Sequence, residues 1–446
     1  MRPLPLLPIA DGRTRLRVTV TLACLAANLV SVVLFNRFVG PQGYEYETIA
    51  RNLLTGAGYT GSFMGGQFGP TSYMAPLYPV LIYLDFLVFG PGKWLPIQLL
   101  QTMLLSLVPL LLLRIRQTIF PEQPQLSPWV LVLPAVVPFT MFSGYIGPAA
   151  LLTMFTTAGF ALFFAAARQP KWRYFLALGL LAGVTGLTDP VPLLLFAAGF
   201  LWLLVRQRGR LVLRWLAAGT IALLIVSPWL YRNYRLFGAF PAIKIQGGWN
   251  LWWGNNPLAT GGIHNRDGGE YTAQYDALSP EEEDSLLRWN EWERDRFFAR
   301  KARKAIVHWL THDPLGYARL KLKSLMFFWF GDAWSIGLER TLVLRGANPR
   351  LAVFFFLTLI PSLLLLVGAV VGVATGITGK SWRADTLLVT LVVLLWAGAY
   401  ALTHGHTFTR YRVPLDPVLL LFGLMGFDRL LSRSTSHAAT HDAPSR

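Results

Sequence analysis

The most constraining feature of this chain is a series of ten apolar segments, each close in length to the thickness of a lipid bilayer. A helix crosses the hydrocarbon core with roughly 20 apolar residues, and in lipid only helices and closed barrels satisfy their own backbone. Charged residues make up 14% of the 446 residues, against roughly 25% in soluble domains. We therefore predict an all-α integral membrane protein with about ten transmembrane helices. The segments cover roughly 17–37, 94–113, 128–143, 150–167, 174–188, 190–205, 212–231, 351–376, 385–402 and 414–431.

Basic residues between the segments predict the orientation of the chain. Lys and Arg accumulate in short cytoplasmic loops, and the connections at 144–149 and 188–191 contain neither residue. We place those two outside, which puts both termini in the cytoplasm and makes the first segment a retained signal anchor. The same rule explains the net charge of +17 without nucleic acid as a partner. The basic residues assigned to the cytoplasm include Arg13, Arg15, Arg17, Arg114, Arg116, Arg168, Lys171, Arg173, Arg206, Arg208, Arg210, Arg214, Lys380, Arg383, Arg429 and Arg433.

Residues 76–90 are also apolar, but we do not predict a span there. The segment contains two prolines and Asp85, and a crossing would move every later basic loop to the outside. We expect a juxtamembrane or re-entrant helix on the outer side, shielded from lipid by protein. The chain is then one polytopic membrane domain, 1–431, followed by a polar tail, 432–446, which we predict to be cytoplasmic and disordered.

Two long regions lie outside in this topology, residues 40–93 and 232–349. In the first region, apolar residues at helical spacing predict a short amphipathic helix over 44–54. In the second region, Ser279 followed by a proline and two glutamates is typical of a capped helix start, and we expect that helix to run past residue 306. Another helix is predicted from Asp313. We expect both to lie on the membrane surface as amphipathic helices rather than form a globular domain.

Two carboxylates follow the first span, and one of them is our candidate for a catalytic base. Glu45 and Glu47 are two residues apart on the predicted helix, so they point to different sides and at most one faces a site. We assign the role of general base to Glu45, with Tyr46 beside it as a substrate contact. The alternative is a solvated helix face, which we favour for Glu47.

Three arginines at the outer boundary are candidates for binding a phosphate group. Arg410 and Arg412 lie in the loop before the last span, against the positive-inside trend, and guanidinium groups bind phosphate oxygens well. Arg232 opens the second outer region and could serve the same purpose. Each of them could instead anchor the chain to lipid headgroups. Because His404 and His406 have no third ligand nearby, we expect no metal site, and His406 is a candidate substrate contact.

Two further residues have a structural and a functional interpretation. Trp253 could stack on a sugar ring or belong to the aromatic belt of the membrane interface. Asp189 precedes a proline near the outer end of a span, where a helix cap is the favoured role. The sequence contains no phosphate-binding P-loop, no dinucleotide-binding glycine motif and no nucleophile elbow, which argues against a nucleotide-powered pump or a serine hydrolase.

Several short motifs occur in an order that resembles a known family. They are Tyr46-x-x-Ile49-Ala50-Arg51-Asn52-Leu53-Leu54-x-Gly56-x-Gly58-Tyr59, Pro76-Leu77-Tyr78-Pro79, Gly183-x-x-x-Leu187-Thr188-x-Pro190, Ser227-Pro228-Trp229-x-x-Arg232-Asn233-Tyr234, Gly254-Asn255 and Arg410-Tyr411-Arg412-x-Pro414. In this order they resemble GT-C glycosyltransferases, more closely the bacterial relatives of dolichyl-phosphate-mannose protein mannosyltransferases and of aminoarabinose transferase. The resemblance covers nearly the whole chain, although each motif alone is loose.

The resemblance implies a polyprenyl-phosphate-sugar donor and no cofactor. It also implies that the sugar is transferred at the outer face of a bacterial inner membrane, where the protein contacts membrane lipids. The sequence identifies neither the sugar nor the acceptor. In that family an acidic residue of the first outer loop is the base, usually Asp four residues before the tyrosine that matches Tyr46. Here that position is Gln42, and Glu45 is the nearest substitute. Asn255 is carried over from its motif as a substrate contact.

The chemistry expected from the resemblance needs only one carboxylate. A glycosidase uses an acid to protonate a poor leaving group, whereas a lipid phosphate leaves as a stable anion that positive charge can stabilise. Glu45 with Arg410 and Arg412 would then suffice for a single displacement with inversion. Two other functions stay open: a transporter or flippase of a lipid-linked sugar, and an inactive scaffold of the same fold, which Gln42 makes conceivable.

Overall fold

The protein is described by a computed structural model that covers residues 12–38, 40–120, 140–206, 211–239, 243–262, 272–333, 349–379, 383–404 and 409–441. These residues form helices and one short antiparallel ribbon, in which Thr60–Gly61 (β1) pairs with Gly69–Pro70 (β2). The prediction of an all-α membrane protein is therefore confirmed.

The described residues contain eighteen helices. In the first half of the chain they are α1 (Gly12–Phe38), α2 (Tyr44–Leu54), α3 (Leu77–Phe89), α4 (Leu95–Ile119), α5 (Thr140–Gly144), α6 (Ala149–Arg168), α7 (Trp172–Thr188), α8 (Leu193–Arg206) and α9 (Val212–Phe237). In the second half they are α10 (Gly247–Asn255), α11 (Ala273–Asp276), α12 (Pro280–Arg288), α13 (Glu291–His312), α14 (Pro314–Ala333), α15 (Pro349–Thr378), α16 (Arg383–Thr403), α17 (Thr409–Arg412) and α18 (Asp416–His441). Each predicted span coincides with one of these helices except 128–143, most of which lies outside the described residues.

Six helices among the described residues are long and apolar enough to cross a membrane: α1, α4, α6, α9, α15 and α16. Helix α3, the apolar segment that we excluded as a span, has 13 residues. At about 1.5 Å per residue it reaches roughly 20 Å, which is short of the roughly 30 Å hydrocarbon core. Helix α8, which we predicted as a span, is similarly short at 14 residues, so length does not separate the two helices and the juxtamembrane or re-entrant placement of α3 stays a prediction.

Small residues allow a close contact between two helices of the bundle, α15 and α18. A Cβ atom added at Gly372 would lie 2.6 Å from the backbone of Phe422, and one added at Gly423 would lie 2.8 Å from the backbone of Gly368. In membranes, glycines at such positions let two helix backbones approach and gain van der Waals contact. This contact positions α18 and the short helix α17 that precedes it.

The segments between the spans form a second layer, the cap, which we define as the described parts of 40–76 and 243–312. Buried apolar side chains from both segments share one cluster, which gives the cap a core of its own and ties the two outer regions together. The members are Ile49, Met64, Tyr73, Met74, Ile245, Trp249, Trp252, Leu286, Phe297, Phe298, Ala302 and Ala305. The cap is therefore more than a set of surface-lying helices.

Three local predictions need correction. The helix from Ser279 is interrupted, because Asn290 and Glu293 form a second capping box that ends α12 and starts α13. Helix α14 packs against α15 and α16, with Phe327 and Phe328 buried, rather than lying on the membrane surface. Helix α18 continues to His441, well into the tail that we predicted to be disordered, because a formed helix gains one hydrogen bond per added residue.

Candidate functional site

The two glutamates of α2 lie in different environments. Glu47 forms an ion pair with Arg51, with 2.6 Å between Oε1 and the guanidinium nitrogen, and accepts a hydrogen bond from the Gly43 N–H at 3.3 Å. Glu47 therefore stabilises the start of α2. Glu45 is half-buried, and within the described residues it accepts no hydrogen bond and forms no ion pair. Of the two, Glu45 is the carboxylate that a ligand can use.

The hydroxyl of Tyr46 lies within the electrostatic reach of three charged groups. The Tyr46 ring packs edge-on against Tyr78, with 5.1 Å between ring centroids. Burial is the main cause that raises the pKa of Tyr46 well above its ordinary value. The charges of Asp189 and Glu45 raise this pKa further, and the charge of Arg410 opposes them. The fold thus brings a carboxylate of the first outer region and an arginine near the last span to one place.

Arg410, on the short helix α17, is positioned by two tyrosines. Its guanidinium group donates hydrogen bonds to the hydroxyls of Tyr145 and Tyr411, the latter at 3.1 Å. It also lies over both rings, 5.9 Å and 5.0 Å from their centroids. Tyr411 stacks in turn on Tyr400, with 4.4 Å between ring centroids. These aromatic groups position the guanidinium by hydrogen bonds and by contact with their rings.

Asp189 serves mainly as a structural residue, in agreement with its predicted capping role. Its Oδ1 accepts a hydrogen bond from the Val191 N–H at 3.0 Å, at the entrance to α8. Its Oδ2 forms an ion pair with Lys244 at 3.1 Å. Because both oxygens have partners, Asp189 is a weaker candidate for a base than Glu45.

Arg412 is not placed with Arg410, although the sequence suggested that both bind one phosphate. Its guanidinium group is inaccessible to solvent and forms an ion pair with Asp416, with 2.9 Å between Nε and Oδ1. It also donates to Ser362 Oγ at 3.2 Å and to the carbonyl of Trp329. Arg412 therefore joins α14, α15 and α18 inside the bundle, and each of its three guanidinium nitrogens already has a partner.

Arg232, the third predicted phosphate ligand, holds the first outer region instead. Its guanidinium donates to the carbonyl oxygens of Thr71 at 2.8 Å and Tyr59 at 3.1 Å, and to Ser72 Oγ at 3.0 Å. It also lies over the ring of Trp229, 4.5 Å from its centroid. These contacts make Arg232 a clamp on the cap rather than a ligand for phosphate.

Glu291, at the start of α13, binds the same two residues and was missed in the sequence. It is 3% exposed and accepts hydrogen bonds from the Ser72 N–H at 2.7 Å and from the Thr71 hydroxyl. Burial raises the pKa of Glu291 to about 7, and the two hydrogen bonds limit that rise. Ser72 also donates to Asn233 Oδ1 at 2.6 Å and accepts from the Ile245 N–H at 2.9 Å. Thr71 and Ser72 are thus tied to the second outer region on several sides.

Three other residues were predicted to contact the substrate. Two of them have structural roles, and the third is not described by the structure. Asn255 is fully buried, donates to the Leu402 carbonyl at 2.9 Å and accepts from the Tyr317 hydroxyl at 2.9 Å. It therefore joins α10 to α14 and α16. Trp253 packs at the edge of the apolar cluster of the cap. His406 lies outside the described residues.

Lys321, on α14, lies at the same junction and was not recognised as special in the sequence. Its ammonium group donates to the carbonyl oxygens of Gly254 at 2.8 Å and Leu402 at 3.4 Å, and burial lowers the pKa of Lys321 to about 7. Both carbonyls belong to the C-terminal turns of helices, where a cation offsets the partial negative charge. Nothing in the local sequence distinguishes Lys321 from the basic residues beside it.

The fold and the site define the class of protein as a multi-pass all-α membrane protein with a carboxylate and an arginine brought together next to its cap. A sequence profile of the family described as dolichyl-phosphate-mannose-protein mannosyltransferase matches residues 73–231. This match confirms the family resemblance for that part of the chain. No curated protein sequence matches the chain.

Two solved structures are similar to this protein. The first is the archaeal oligosaccharyltransferase AglB from Archaeoglobus fulgidus in complex with an inhibitory peptide and a dolichol-phosphate. It has 13% sequence identity and a TM-score of 0.49, and the match covers 98% of this chain and 53% of that chain. This chain thus spans about half the length of that relative. The second is ArnT from Cupriavidus metallidurans bound to undecaprenyl phosphate, with 14% identity, a TM-score of 0.39, and coverage of 94% and 79%.

Proposed function

We propose that this protein is a glycosyltransferase that moves a sugar from a polyprenyl-phosphate donor to an acceptor at the outer face of a bacterial inner membrane. The observation that carries the proposal is that the charges of Glu45 and Arg410, which are far apart in the sequence, both act on the hydroxyl of Tyr46. The family match over residues 73–231 supports a lipid-phosphate-linked sugar as the donor class.

The reaction is a single displacement at the anomeric carbon of the donor sugar. Glu45 takes the proton from an acceptor hydroxyl, and the acceptor oxygen forms the new bond to that carbon. The bond to the lipid phosphate breaks on the opposite face, which inverts the configuration. The electron pair leaves with the phosphate, and Arg410 stabilises the resulting anion. The proton on Glu45 passes to water after the acceptor has left.

The other residues of the site have supporting roles in this proposal. Tyr145 and Tyr411 are positioning residues, because they hold the Arg410 guanidinium by hydrogen bonds and ring contacts. Tyr46 lies between the base and the arginine and would contact the sugar. Arg232 and Arg412, which we predicted to bind phosphate, are assigned to the framework.

The test compares Glu45→Gln with Glu47→Gln, a matched pair on one helix. Both variants remove one charge from a glutamate at nearly constant volume. Transfer is measured as the release of polyprenyl phosphate in proteoliposomes supplied with individual polyprenyl-phosphate sugars and a membrane extract as the source of acceptor. Loss of a general base lowers turnover by roughly 10²–10⁴-fold, which we expect for Glu45→Gln. Glu47→Gln loses only an exposed ion pair, which is worth roughly 0.3–0.5 kcal/mol, and is expected to stay within about threefold of the wild type.

Two results would contradict this assignment. Full turnover in Glu45→Gln would remove Glu45 as the base, and equal losses in both variants would indicate a general effect on α2. A third result would reject transfer itself, namely a labelled lipid-linked sugar that crosses the vesicle membrane chemically unchanged. That outcome would favour the flippase, which we expect to place charged residues along a path through the membrane.

A further inference from the structure

A pocket of about 490 Å³ opens where the end of α9 meets α13. Its aromatic wall consists of Phe237, Trp289 and Trp292, each of them partly exposed. Its charged rim carries Arg296 and Arg300 together with one carboxylate, Glu293. None of these residues belongs to the site around Glu45 and Arg410. The volume is within the range of small-ligand pockets, roughly 300–1,000 Å³.

We expect the mouth of this pocket at the level of the membrane surface, because of the helix that it adjoins. Helix α9 is one of the six helices long enough to span, and the pocket begins at its last residue, Phe237. Tyr231 and Tyr234, in the preceding two turns, are 58% and 40% exposed. Exposed tyrosines at the end of a span are typical of the interface between hydrocarbon and headgroups. A lipid headgroup can therefore reach the pocket without leaving the bilayer.

The two arginines of the rim are available to a ligand. Arg296 and Arg300 are four residues apart and therefore lie on one side of α13. Both side chains are exposed, and Arg296 lies over the ring of Trp292 at 5.9 Å. Among the described residues neither forms an ion pair. The neighbouring Glu293 accepts a hydrogen bond from the Asn290 N–H at 2.8 Å and stabilises the start of the helix.

We propose that this pocket binds the phosphate headgroup of a membrane lipid. Two guanidinium groups would donate to the phosphate oxygens in the geometry that arginine favours, and the aromatic wall would pack against the first carbons of the lipid chain. The proposal rests on the proposed function for the identity of the lipid, which is the polyprenyl phosphate released by sugar transfer. The pocket is then a holding site for the carrier, separate from the site of chemistry.

The experiment measures lipid binding by native mass spectrometry on the delipidated full-length protein. Undecaprenyl phosphate, undecaprenol and inorganic phosphate are titrated separately. The test variant is Arg296→Ala/Arg300→Ala, and the matched control is Arg303→Ala/Lys304→Ala, which removes two exposed charges from the same helix outside the pocket. Because the proposed catalytic site also binds the lipid phosphate, all of these proteins are compared in the Arg410→Gln background. Charge-assisted hydrogen bonds to phosphate in the pocket support a loss of at least about tenfold in affinity for the test variant. The control variant and Glu45→Gln are expected to keep this binding.

Several results would overturn the proposal. Equal losses of affinity in both double variants would show that binding depends on the overall charge of the helix and not on this pocket. Equal binding of undecaprenol would show that the phosphate is not recognised. Displacement by an equal concentration of inorganic phosphate would show that the hydrocarbon chain of the lipid is not recognised. If the test variant has the same melting temperature as the wild type, a folding defect is excluded. If its melting temperature is lower, Arg296→Gln/Arg300→Gln is used instead. Because binding is measured without transfer, failure of the proposed function and failure of this site give different results.

Discussion

Charged side chains have different partners in the interior of the helical bundle and at its boundary with the cap. In the interior, Arg412 is paired with Asp416, with 2.9 Å between Nε and Oδ1, and neither side chain is more than 1% exposed. At the boundary, Arg410 rests on two tyrosines, and Glu45 forms no hydrogen bond within the described residues. An unpaired buried charge costs several kcal/mol, so the chain itself must neutralise a charge in the interior. Under the proposed function a ligand supplies charge at the boundary, and this is where we propose that the chemistry takes place.

The largest effect is expected from breaking the interior pair. Arg412→Met leaves Asp416 buried without its partner, which costs roughly 3–5 kcal/mol. We expect the variant to unfold at a clearly lower denaturant concentration in detergent, or to fail to accumulate. The measurement is equilibrium unfolding monitored by tryptophan fluorescence.

The double variant Arg412→Met/Asp416→Leu is the control for that experiment. It removes both charges, and replacing a buried pair by apolar residues is often neutral. Most of the lost stability should therefore return. If the double variant is as unstable as the single one, the ion pair is not what Arg412 contributes, and the contrast with Arg410 weakens.

Arg410 should show the opposite pattern, a loss of activity with little loss of stability. Arg410→Gln removes the charge proposed to stabilise the leaving phosphate. Removing one such preorganised donor typically costs roughly 10²–10³-fold in turnover. We expect a loss in that range with unfolding close to the wild type, measured in the same transfer and unfolding experiments. Normal transfer by this variant would show that another group binds the phosphate.

The separation of Arg410 from Arg412 was within reach of the sequence. Residues two apart on a helix point to different sides, the argument that separated Glu45 from Glu47. The spacing of Arg412 and Asp416 is that of an ion pair on a helix, and the two residues are paired in the structure. Helical periodicity, capping sequences and loop charge likewise predicted the helix over 44–54, the helix start at Ser279 and nearly all the spans, because those signals are local.

The clamp on Thr71 and Ser72 could not be predicted in this way. Glu291 binds Ser72 across 219 positions of sequence, and Arg232 reaches Thr71 across 161. Their hydrogen bonds form only when the two outer regions pack into one cap. A glutamate at the start of a helix usually just interacts favourably with the helix dipole, and the sequence gives no sign that Glu291 does more. Its burial, which gives it another role, is a property of the tertiary fold.

The smallest effect we predict concerns this clamp and depends on pH. In the folded state the pKa of Glu291 is about 7, against an ordinary value of 4.5, because the side chain is buried. Below about pH 4.5 the carboxyl is protonated whether the chain is folded or not, so its contribution to stability is full. As the pH rises from 4.5 towards 7, the unfolded chain loses the proton first, and the free energy of unfolding falls by roughly 3 kcal/mol at most.

Glu291→Gln removes this pH dependence while preserving the contacts. The amide oxygen can accept from the Ser72 N–H, and the amide nitrogen can donate to the Thr71 hydroxyl. We therefore expect the stability of the wild type relative to the variant to fall between pH 4.5 and 7 and to stay level above that. Unfolding curves of both proteins across this range provide the measurement. A constant difference would mean that Glu291 keeps its ordinary pKa, and that the junction between the two outer regions does not distinguish the charged carboxyl from the neutral one.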